Sequence, residues 1–228
     1  MAEQTGENKI VLRGQVAGEP ALTHSNHGVD YATVPFRVPR LSGAEDVLNL
    51  VLPWGERTLW QPGTWRWAEG EVRSYNNRSG AGARLVITVL VRTSGPAEEG
   101  EGENRLVLSV FAREFELVEQ ASEDEEAATN EIFLDGFICK ESVYRKTPLG
   151  REIADLLVAV NRSYGKSDYI PCICWGRNAR FAASFEVGAH VQIWGRIQSR
   201  EYVKKLSETE VEQRVAYEVS VSKIEFLE

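Results

Sequence analysis

The sequence predicts an all-β chain that folds as two consecutive five-stranded barrels. Three observations support this prediction. The second half of the chain repeats the first, each half consists of short strand-like runs between glycine-rich or charged turns, and one short helical segment follows the third strand of the second half. The chain has 228 residues, of which 43% are hydrophobic, and this is enough apolar material for two small cores.

The repeat is visible at both ends of each half. The strand pattern of residues 9–14, which ends at a glycine, returns 122 positions later in residues 131–136. Residues 105–119 align without a gap with residues 214–228, and their apolar positions correspond. Agreement over so many positions at the matching ends of two units indicates an internal duplication.

The order of elements in the second unit predicts the topology. Runs with strand character cover residues 132–142, 153–161, 169–175, 191–200 and 215–226, and a helical segment at 177–185 lies between the third and fourth. Five strands with one helix after the third is the order of the OB-fold barrel. We therefore predict two tandem OB-fold five-stranded barrels, with a generic antiparallel sandwich as the alternative.

The first unit differs from the second by one insertion. Between Tyr75 and Arg105 it carries the apolar run 85–91 and then an acidic, glycine-rich run. We interpret this insertion as an extended hairpin between its last two strands, and its apolar run as a candidate dimer contact. We expect a first OB-fold domain at residues 1–119, an acidic linker at 120–129 and a second OB-fold domain at 130–228.

The net charge of −8 is unevenly distributed. Residues 96–130 carry 2 basic and 11 acidic groups, whereas the segments before and after them are close to neutral. An acidic chain can still bind a polyanion if the cations of a near-neutral domain share one face. The overall charge therefore does not exclude nucleic acid as a partner.

The cysteines and histidines predict no catalytic or metal chemistry. Cys139, Cys172 and Cys174 form no disulfide framework, and no signal peptide or long apolar run is present, so we expect the reducing cytoplasm and no membrane. Cys172 and Cys174 share a strand face, but no further pair of Cys or His completes a zinc site. Without a nucleophile, base and acid arrangement or a phosphate-binding glycine loop, we predict no enzyme and no cofactor.

The most informative stretch is residues 188–202. Val191, Ile193 and Ile197 have the spacing of a strand with one buried face, and Gly195 interrupts the alternation at a coiling point. The other face mixes rings, amides and guanidinium groups: Gln192, Trp194, Arg196, Gln198 and Arg200. Rings between cations suit unpaired nucleic acid, because a base offers a π-face and the backbone a phosphate.

The second unit resembles the bacterial single-stranded DNA-binding proteins. The resemblance lies in residues 161–164 (Asn-Arg-Ser-Tyr), in 168–177 (Asp-Tyr-Ile-Pro-Cys-Ile-Cys-Trp-Gly-Arg) and in the glycine-interrupted strand 188–202. It covers most of residues 131–228 and, more weakly, residues 8–119. It implies sequence-tolerant binding of single-stranded DNA in replication, repair and recombination. Two barrels in one chain are similar to the tandem members of the family, which implies a homodimer with four OB folds.

The resemblance also implies which residues stack on bases. The four positions of the second unit fall on Tyr164, Tyr169, Trp175 and Tyr202; in the first unit Trp54 matches Trp175 after a one-residue shift, and Tyr75 lies close to the last position. The other two positions of the first unit fall near Ser42 and Val47, which are not aromatic. We therefore expect the first unit to bind more weakly or to serve assembly.

A set of cations is predicted to follow the phosphates, with solvated surface as the alternative for each. The set comprises Arg40, Arg73, Arg162, Lys166, Arg177, Arg196 and Arg200, and Lys204 and Lys205 could clamp the strand from a loop. For Trp60, Trp65, Trp67 and Trp194 we predict packing or a subunit interface. A core position is the alternative for Trp175.

Partner recruitment is where the sequence departs from the family. Family members usually end in a flexible tail with an acidic tip that recruits replication and repair proteins, whereas residues 225–228 belong to the predicted last strand. We expect no such tip, although the acidic run at 119–126 could substitute for it. The alternative function is an OB-fold protein-interaction or assembly module with little or no nucleic-acid binding.

Overall fold

The structure is a computed structural model, and it describes residues 6–78, 104–118, 130–205 and 211–227. The first half contains six strands, and a 3₁₀ helix, Trp54–Leu59, follows the fourth strand. The strands are β1 (Asn8–Val16), β2 (Ala21–Asn26), β3 (Val29–Pro39), β4 (Glu45–Pro53), β5 (Trp65–Arg78) and β6 (Asn104–Leu117).

The second half repeats this arrangement with a short α-helix, α1 (Arg177–Ala182), in the place of the 3₁₀ helix. Its strands are β7 (Asn130–Ile138), β8 (Val143–Lys146), β9 (Glu152–Arg162), β10 (Lys166–Trp175), β11 (His190–Lys205) and β12 (Val211–Leu227). A 3₁₀ turn, Ser163–Gly165, joins β9 to β10.

Each half closes into a five-stranded barrel. In the first barrel the order is β1-β3-β4-β6-β5, closed by the pairing of β5 with β1, and β4 runs parallel to β6. In the second barrel β7, β9, β10, β12 and β11 repeat the order, with β10 parallel to β12. The predicted pair of OB-fold barrels is confirmed. The short strands β2 and β8, which sequence reasoning missed, extend the barrels as hairpins on β3 and β9.

The side-chain alternation explains why these runs form strands. Ile10, Leu12 and Val16 of β1 are buried, and residues 132, 134 and 138 of β7 repeat the pattern in the second core. The predicted coiling point is confirmed, because the register of β11 with β12 shifts between Trp194 and Gly195. A Cβ at Gly195 would lie 2.2 Å from the Ser220 carbonyl oxygen, so this crossing requires glycine.

One predicted element ends earlier than expected, and two predicted segments lie mostly or wholly outside the described residues. The helix α1 ends at Ala182, before the predicted end at residue 185, because the chain turns and buries Phe185 in the core. Residues 79–103 of the insertion that we predicted as an extended hairpin, including the run 85–91, and the acidic linker at 120–129 lie outside the described residues. The domain boundaries therefore stay a prediction.

The two barrels are related by an approximate twofold axis. Strands β1 and β7 pair in antiparallel fashion with Ile10 opposite Ile132, and these two residues are equivalent in the repeat. The sheet therefore continues from one barrel to the other. The same rotation places β5 of the first barrel beside β10 of the second, and β11 beside β4.

Candidate nucleic-acid interface

Three of the predicted stacking rings are exposed on strands β10 and β11 of the second barrel. Tyr169 and Trp175 of β10 are 44% and 39% exposed, and Tyr202 of β11 is 36% exposed. Residues 170, 172 and 174 of β10 are buried in the core, so the alternation of the strand turns Tyr169 and Trp175 outward. A half-exposed ring on a strand offers a face on which a base can stack.

A cation lies beside one of these rings. The guanidinium carbon of Arg200 is 5.7 Å from the centroid of the Tyr202 ring, and its Nε is 3.8 Å from a carboxylate oxygen of Glu218. Arg200 and Tyr202 are two positions apart on β11 and therefore share a face. This pair shows the mixture of ring and cation that the sequence pattern predicted.

Several other predicted contacts of the second barrel lie at or near the ends of elements. Lys166 is the exposed first residue of β10, and Arg177 is the exposed first residue of α1. Tyr164 belongs to the 3₁₀ turn between β9 and β10, but its side chain lies outside the described part of the structure. The side chains of Lys204 and Lys205 lie outside it as well.

The match of Trp54 with Trp175 requires a correction. In the sheet, Pro53 is opposite Tyr31 as Trp175 is opposite Ile153, so the residue equivalent to Trp175 is Pro53. Trp54 begins the following 3₁₀ helix, and its half-buried ring packs against the first core. The guanidinium of Arg57 lies 4.4 Å from the centroid of that ring.

Two of the predicted phosphate-binding cations lie around the buried carboxylate of Asp168. The Oδ2 atom of Asp168 is 3.0 Å from Arg162 Nε and 3.1 Å from Arg73 Nη1. Its Oδ1 atom accepts a 2.8 Å hydrogen bond from the backbone N–H of Ser74. Arg73 and Ser74 belong to the first barrel, and we call this cluster the Asp168 joint.

The pKa values at the Asp168 joint reflect the cost of burial. Burial raises the pKa of Asp168 and lowers the pKa of Arg73. Both shifts disfavour the charged forms, so the removal of these groups from water outweighs their mutual attraction.

The approximate twofold axis generates a second cluster around Asp46, which is also fully buried. Asp46 accepts hydrogen bonds from Arg40 Nε at 2.7 Å and, across the barrels, from the N–H and hydroxyl of Ser199 at 2.6 and 2.9 Å. Arg196 Nη1 is 3.7 Å from Asp46 Oδ2. In this Asp46 joint, the hydrogen bond with Asp46 raises the pKa of Arg40.

Sequence reasoning missed the joints although a signal was present. Asp46 and Asp168 occupy equivalent positions immediately before the third barrel strand becomes apolar, and Ser74 and Ser199 are equivalent in the repeat. An acid retained in both copies inside an apolar run needs a partner. The structure thus places four of the seven predicted cations within ion-pair distance of an aspartate, while DNA contact by them stays a prediction.

The other tryptophans separate into core and surface. Trp60 is fully buried in the first core, as the packing interpretation predicted. Trp65, Trp67 and Trp194 are half-buried on the outer side of the continuous sheet. Trp194 packs against Phe133 with ring centroids 5.0 Å apart, and Lys223 Nζ lies 4.3 Å from its ring centroid.

Tyr75 is an exposed ring on the strand of the first barrel that corresponds to β11. Tyr75 of β5 is 48% exposed and pairs with residue 107 of β6. In the second barrel the corresponding pair joins Arg200 to Ala216, so Tyr75 is equivalent to Arg200 rather than to Tyr202.

The described ranges contain neither a candidate metal site nor a membrane-crossing helix. They contain no group of three or more His, Cys, Asp or Glu side chains placed to hold a metal ion, and no helix of sufficient length and apolarity to span a membrane. Cys172 and Cys174 are buried, and burial raises the pKa of Cys174 to about 12.

Comparison with solved structures supports the fold over the whole chain. The crystal structure of the wild-type single-stranded DNA-binding protein from Thermus aquaticus superposes with a TM-score of 0.68, covering 99% of this chain and 95% of that chain. The two sequences are 17% identical, so this similarity establishes the architecture alone.

Comparison of sequences identifies the family. The model of the Single-strand binding protein family matches residues 129–227. Single-stranded DNA-binding protein A of Bacillus subtilis is 34% identical over 107 residues, 43% of this chain and 59% of the relative. Single-stranded DNA-binding protein B of the same bacterium is 34% identical over 80 residues, 32% of this chain and 71% of the relative.

The matches concentrate on the second barrel. The chain covers 59% and 64% of the first two curated relatives it matches, the second being a Listeria innocua protein that is 31% identical over 106 residues. All of these relatives are named single-stranded DNA-binding proteins. With the motifs, the topology and the relatives in agreement, the chain belongs to the single-strand binding protein family.

Proposed function

We propose that the chain binds single-stranded DNA without sequence preference, by stacking bases on the rings of the second barrel. The observation that carries the proposal is the shared exposure of Tyr169, Trp175 and Tyr202 on β10 and β11, with Arg200 beside the last ring. Tyr164 is the predicted fourth ring. Each base that stacks on an aromatic ring is worth about 1–3 kcal/mol and needs no particular base identity.

We propose that three cations of the second barrel follow the phosphates. Lys166 is exposed at the start of β10, Arg177 is exposed at the start of α1, and Arg200 is exposed on β11 beside Tyr202. Arg40, Arg73, Arg162 and Arg196 already lie against the aspartates of the joints. We therefore assign most of the phosphate contact to the first three, and to the other four mainly the connection between the barrels.

The first barrel contributes less affinity in this proposal. Val47 and Pro53 occupy the positions equivalent to Tyr169 and Trp175, and neither offers a ring. Tyr75 is exposed and remains the best stacking candidate of the first barrel. Trp54 has a ring already packed on the core and covered by Arg57, so we expect a smaller contribution from it.

Two chains are proposed to associate as a homodimer through the outer sheet face. We define this face by Trp67, Val11, Phe133 and Trp194, which lie in this order on the adjacent strands β5, β1, β7 and β11 and are half-buried. Aromatic residues are enriched at the centres of interfaces. Trp194→Glu should convert the dimer to a monomer in sedimentation, and an unchanged dimer would contradict this assignment.

The cellular role follows from the family and the binding mode. Single-stranded DNA is exposed during replication, repair and recombination, so we propose that the chain protects it there, at the nucleoid in the cytoplasm. Replication or repair proteins could be recruited by the acidic segment at 120–129. If the chain still pulls down the same proteins after the acidic residues of this segment are neutralised, the proposed recruitment by the segment is contradicted.

Fluorescence titration tests the proposal. Oligo(dT) should quench the tryptophan emission of the wild type, and Trp175→Ala should lose most of this quenching together with about 1–3 kcal/mol of binding free energy. Trp194→Phe is the matched control and should retain both the quenching and the wild-type affinity. If oligo(dT) leaves the emission and the anisotropy of a labelled oligonucleotide unchanged, the alternative of a protein-interaction or assembly module is favoured instead.

A further inference from the structure

The Asp168 joint connects the first barrel to the backbone of a candidate stacking residue. Ser74 Oγ accepts a 2.7 Å hydrogen bond from the N–H of Tyr169, and the N–H of Ser74 donates to Asp168 Oδ1 at 2.8 Å. One residue of β5 therefore binds two consecutive residues of β10. The second of these carries a ring that is 44% exposed.

Strand β10 needs this support at Tyr169. It pairs with β9 along its whole length, but on its other side it pairs with β12 only at Cys172 and Ile173. The N-terminal half of β10 thus has an edge that its own barrel does not cover, and backbone groups at such an edge need another partner. Ser74 supplies that partner for the Tyr169 N–H.

The Asp46 joint does not support a ring in the same way. Ser199, the equivalent of Ser74, donates both its N–H and its hydroxyl to Asp46 Oδ1. The residue that follows Asp46 is Val47, where the other joint has Tyr169. The two joints therefore use the same residue types, and only the Asp168 joint connects to a stacking ring.

We propose that Ser74 is a positioning residue for Tyr169, so that the first barrel completes the DNA-binding surface of the second. This inference rests on the proposed function. Stacking is favourable only when the ring is held in a defined plane, and anchoring the backbone N–H restricts the pivoting of the strand that carries it. The duplication then contributes more than a second binding barrel, because the first barrel holds a stacking residue of the second in position.

Full-length variants test the positioning role through a double-mutant cycle with oligo(dT). Ser74→Ala should weaken binding about fivefold, the equivalent of one neutral hydrogen bond, whereas Ser74→Thr, which keeps the acceptor oxygen, should restore wild-type affinity. Ser199→Ala is the matched control, with the same atoms removed at the other joint, and should stay within about twofold of the wild type. In a Tyr169→Ala background, Ser74→Ala should have no further effect.

The outcomes separate the two proposals. The positioning role is overturned if Tyr169→Ala weakens binding but Ser74→Ala does not. It is also overturned if Ser74→Ala weakens binding equally in the presence and in the absence of the Tyr169 ring. In both cases the stacking function stands. If Tyr169→Ala leaves the affinity unchanged, Tyr169 is not a stacking residue, and that part of the proposed function falls together with this inference.

Discussion

Replacing Asp46 by Asn should destabilise the chain by about 2–3 kcal/mol, the usual range for hydrogen bonds to charged groups, whereas Asp168→Asn should cost about 1 kcal/mol near neutral pH. Asp46 accepts four hydrogen bonds, from Arg40 and Ser199, and its bond to Arg40 raises the pKa of that guanidinium. At Asp168 burial raises the pKa of the carboxyl, so the charge there already costs stability.

The assay is urea unfolding of the wild type and both variants, followed by circular dichroism and tryptophan emission. The pKa of Asp168 is higher in the folded than in the unfolded chain, so its contribution to stability is greatest below the unfolded value, which is 3.8, and declines as pH rises through the folded value. The stability of the wild type relative to Asp168→Asn should therefore fall as the pH is raised from about 4 to about 7. Equal losses for both variants at neutral pH, or a wild type that gains on Asp168→Asn over this interval, would refute the reasoning.

Further predictions concern the bulge, the phosphate contacts and the buried thiols. Gly195→Ala should lower the unfolding free energy by about 2–3 kcal/mol, because its Cβ would lie 2.2 Å from a carbonyl oxygen. Gly55→Ala is the control and should be neutral, since a Cβ there meets nothing within 4 Å. Equal losses of stability would contradict the bulge argument. If three cations contact phosphates, the plot of log binding constant against log salt concentration should have a slope of about −2, whereas contact by all seven predicted cations would give about −5. With its pKa near 12, Cys174 should be about one ten-thousandth thiolate at pH 8, and a thiol reagent should modify it only after unfolding; rapid modification of the native chain would contradict its burial.

The internal repeat and the order of the elements were sufficient to predict the barrels, whereas the stacking positions came from the resemblance to the family. The alternation of β10 places Tyr169 and Trp175 opposite the buried residues of the same strand, and this period-two rule needs no knowledge of the neighbouring barrel. The bulge at Gly195 was likewise predictable, because a glycine interrupting an alternating strand has a limited set of structural roles.

The joints could not be predicted from local patterns. They depend on the pairing of β1 with β7, which sets one barrel against the other, and a contact such as that of Asp168 with Ser74 spans 94 positions of the chain. For the same reason, the arginines of the joints were interpreted as phosphate contacts, since a guanidinium has the same appearance in the sequence whether it faces DNA or a buried carboxylate.

The position of Trp54 shows a different limit. A Trp-Gly pair occurs in both halves, and matching the two pairs shifts the repeat by one residue. The strand pairing instead keeps the offset of 122 through this region, as the opposition of Pro53 to Tyr31 shows. Identity of a rare residue was a weaker guide than the continuity of a strand, because a one-residue shift turns every side chain to the other face.

Photochemical cross-linking tests the central claim most directly, since it reports which rings contact bases. Oligo(dT) that carries 5-iodouracil should be irradiated in complex with the full-length protein, and the modified residues identified by mass spectrometry. The account predicts adducts at Tyr169, Trp175 and Tyr202 of the second barrel. Adducts confined to Trp67 and Trp194 of the outer sheet face would contradict it.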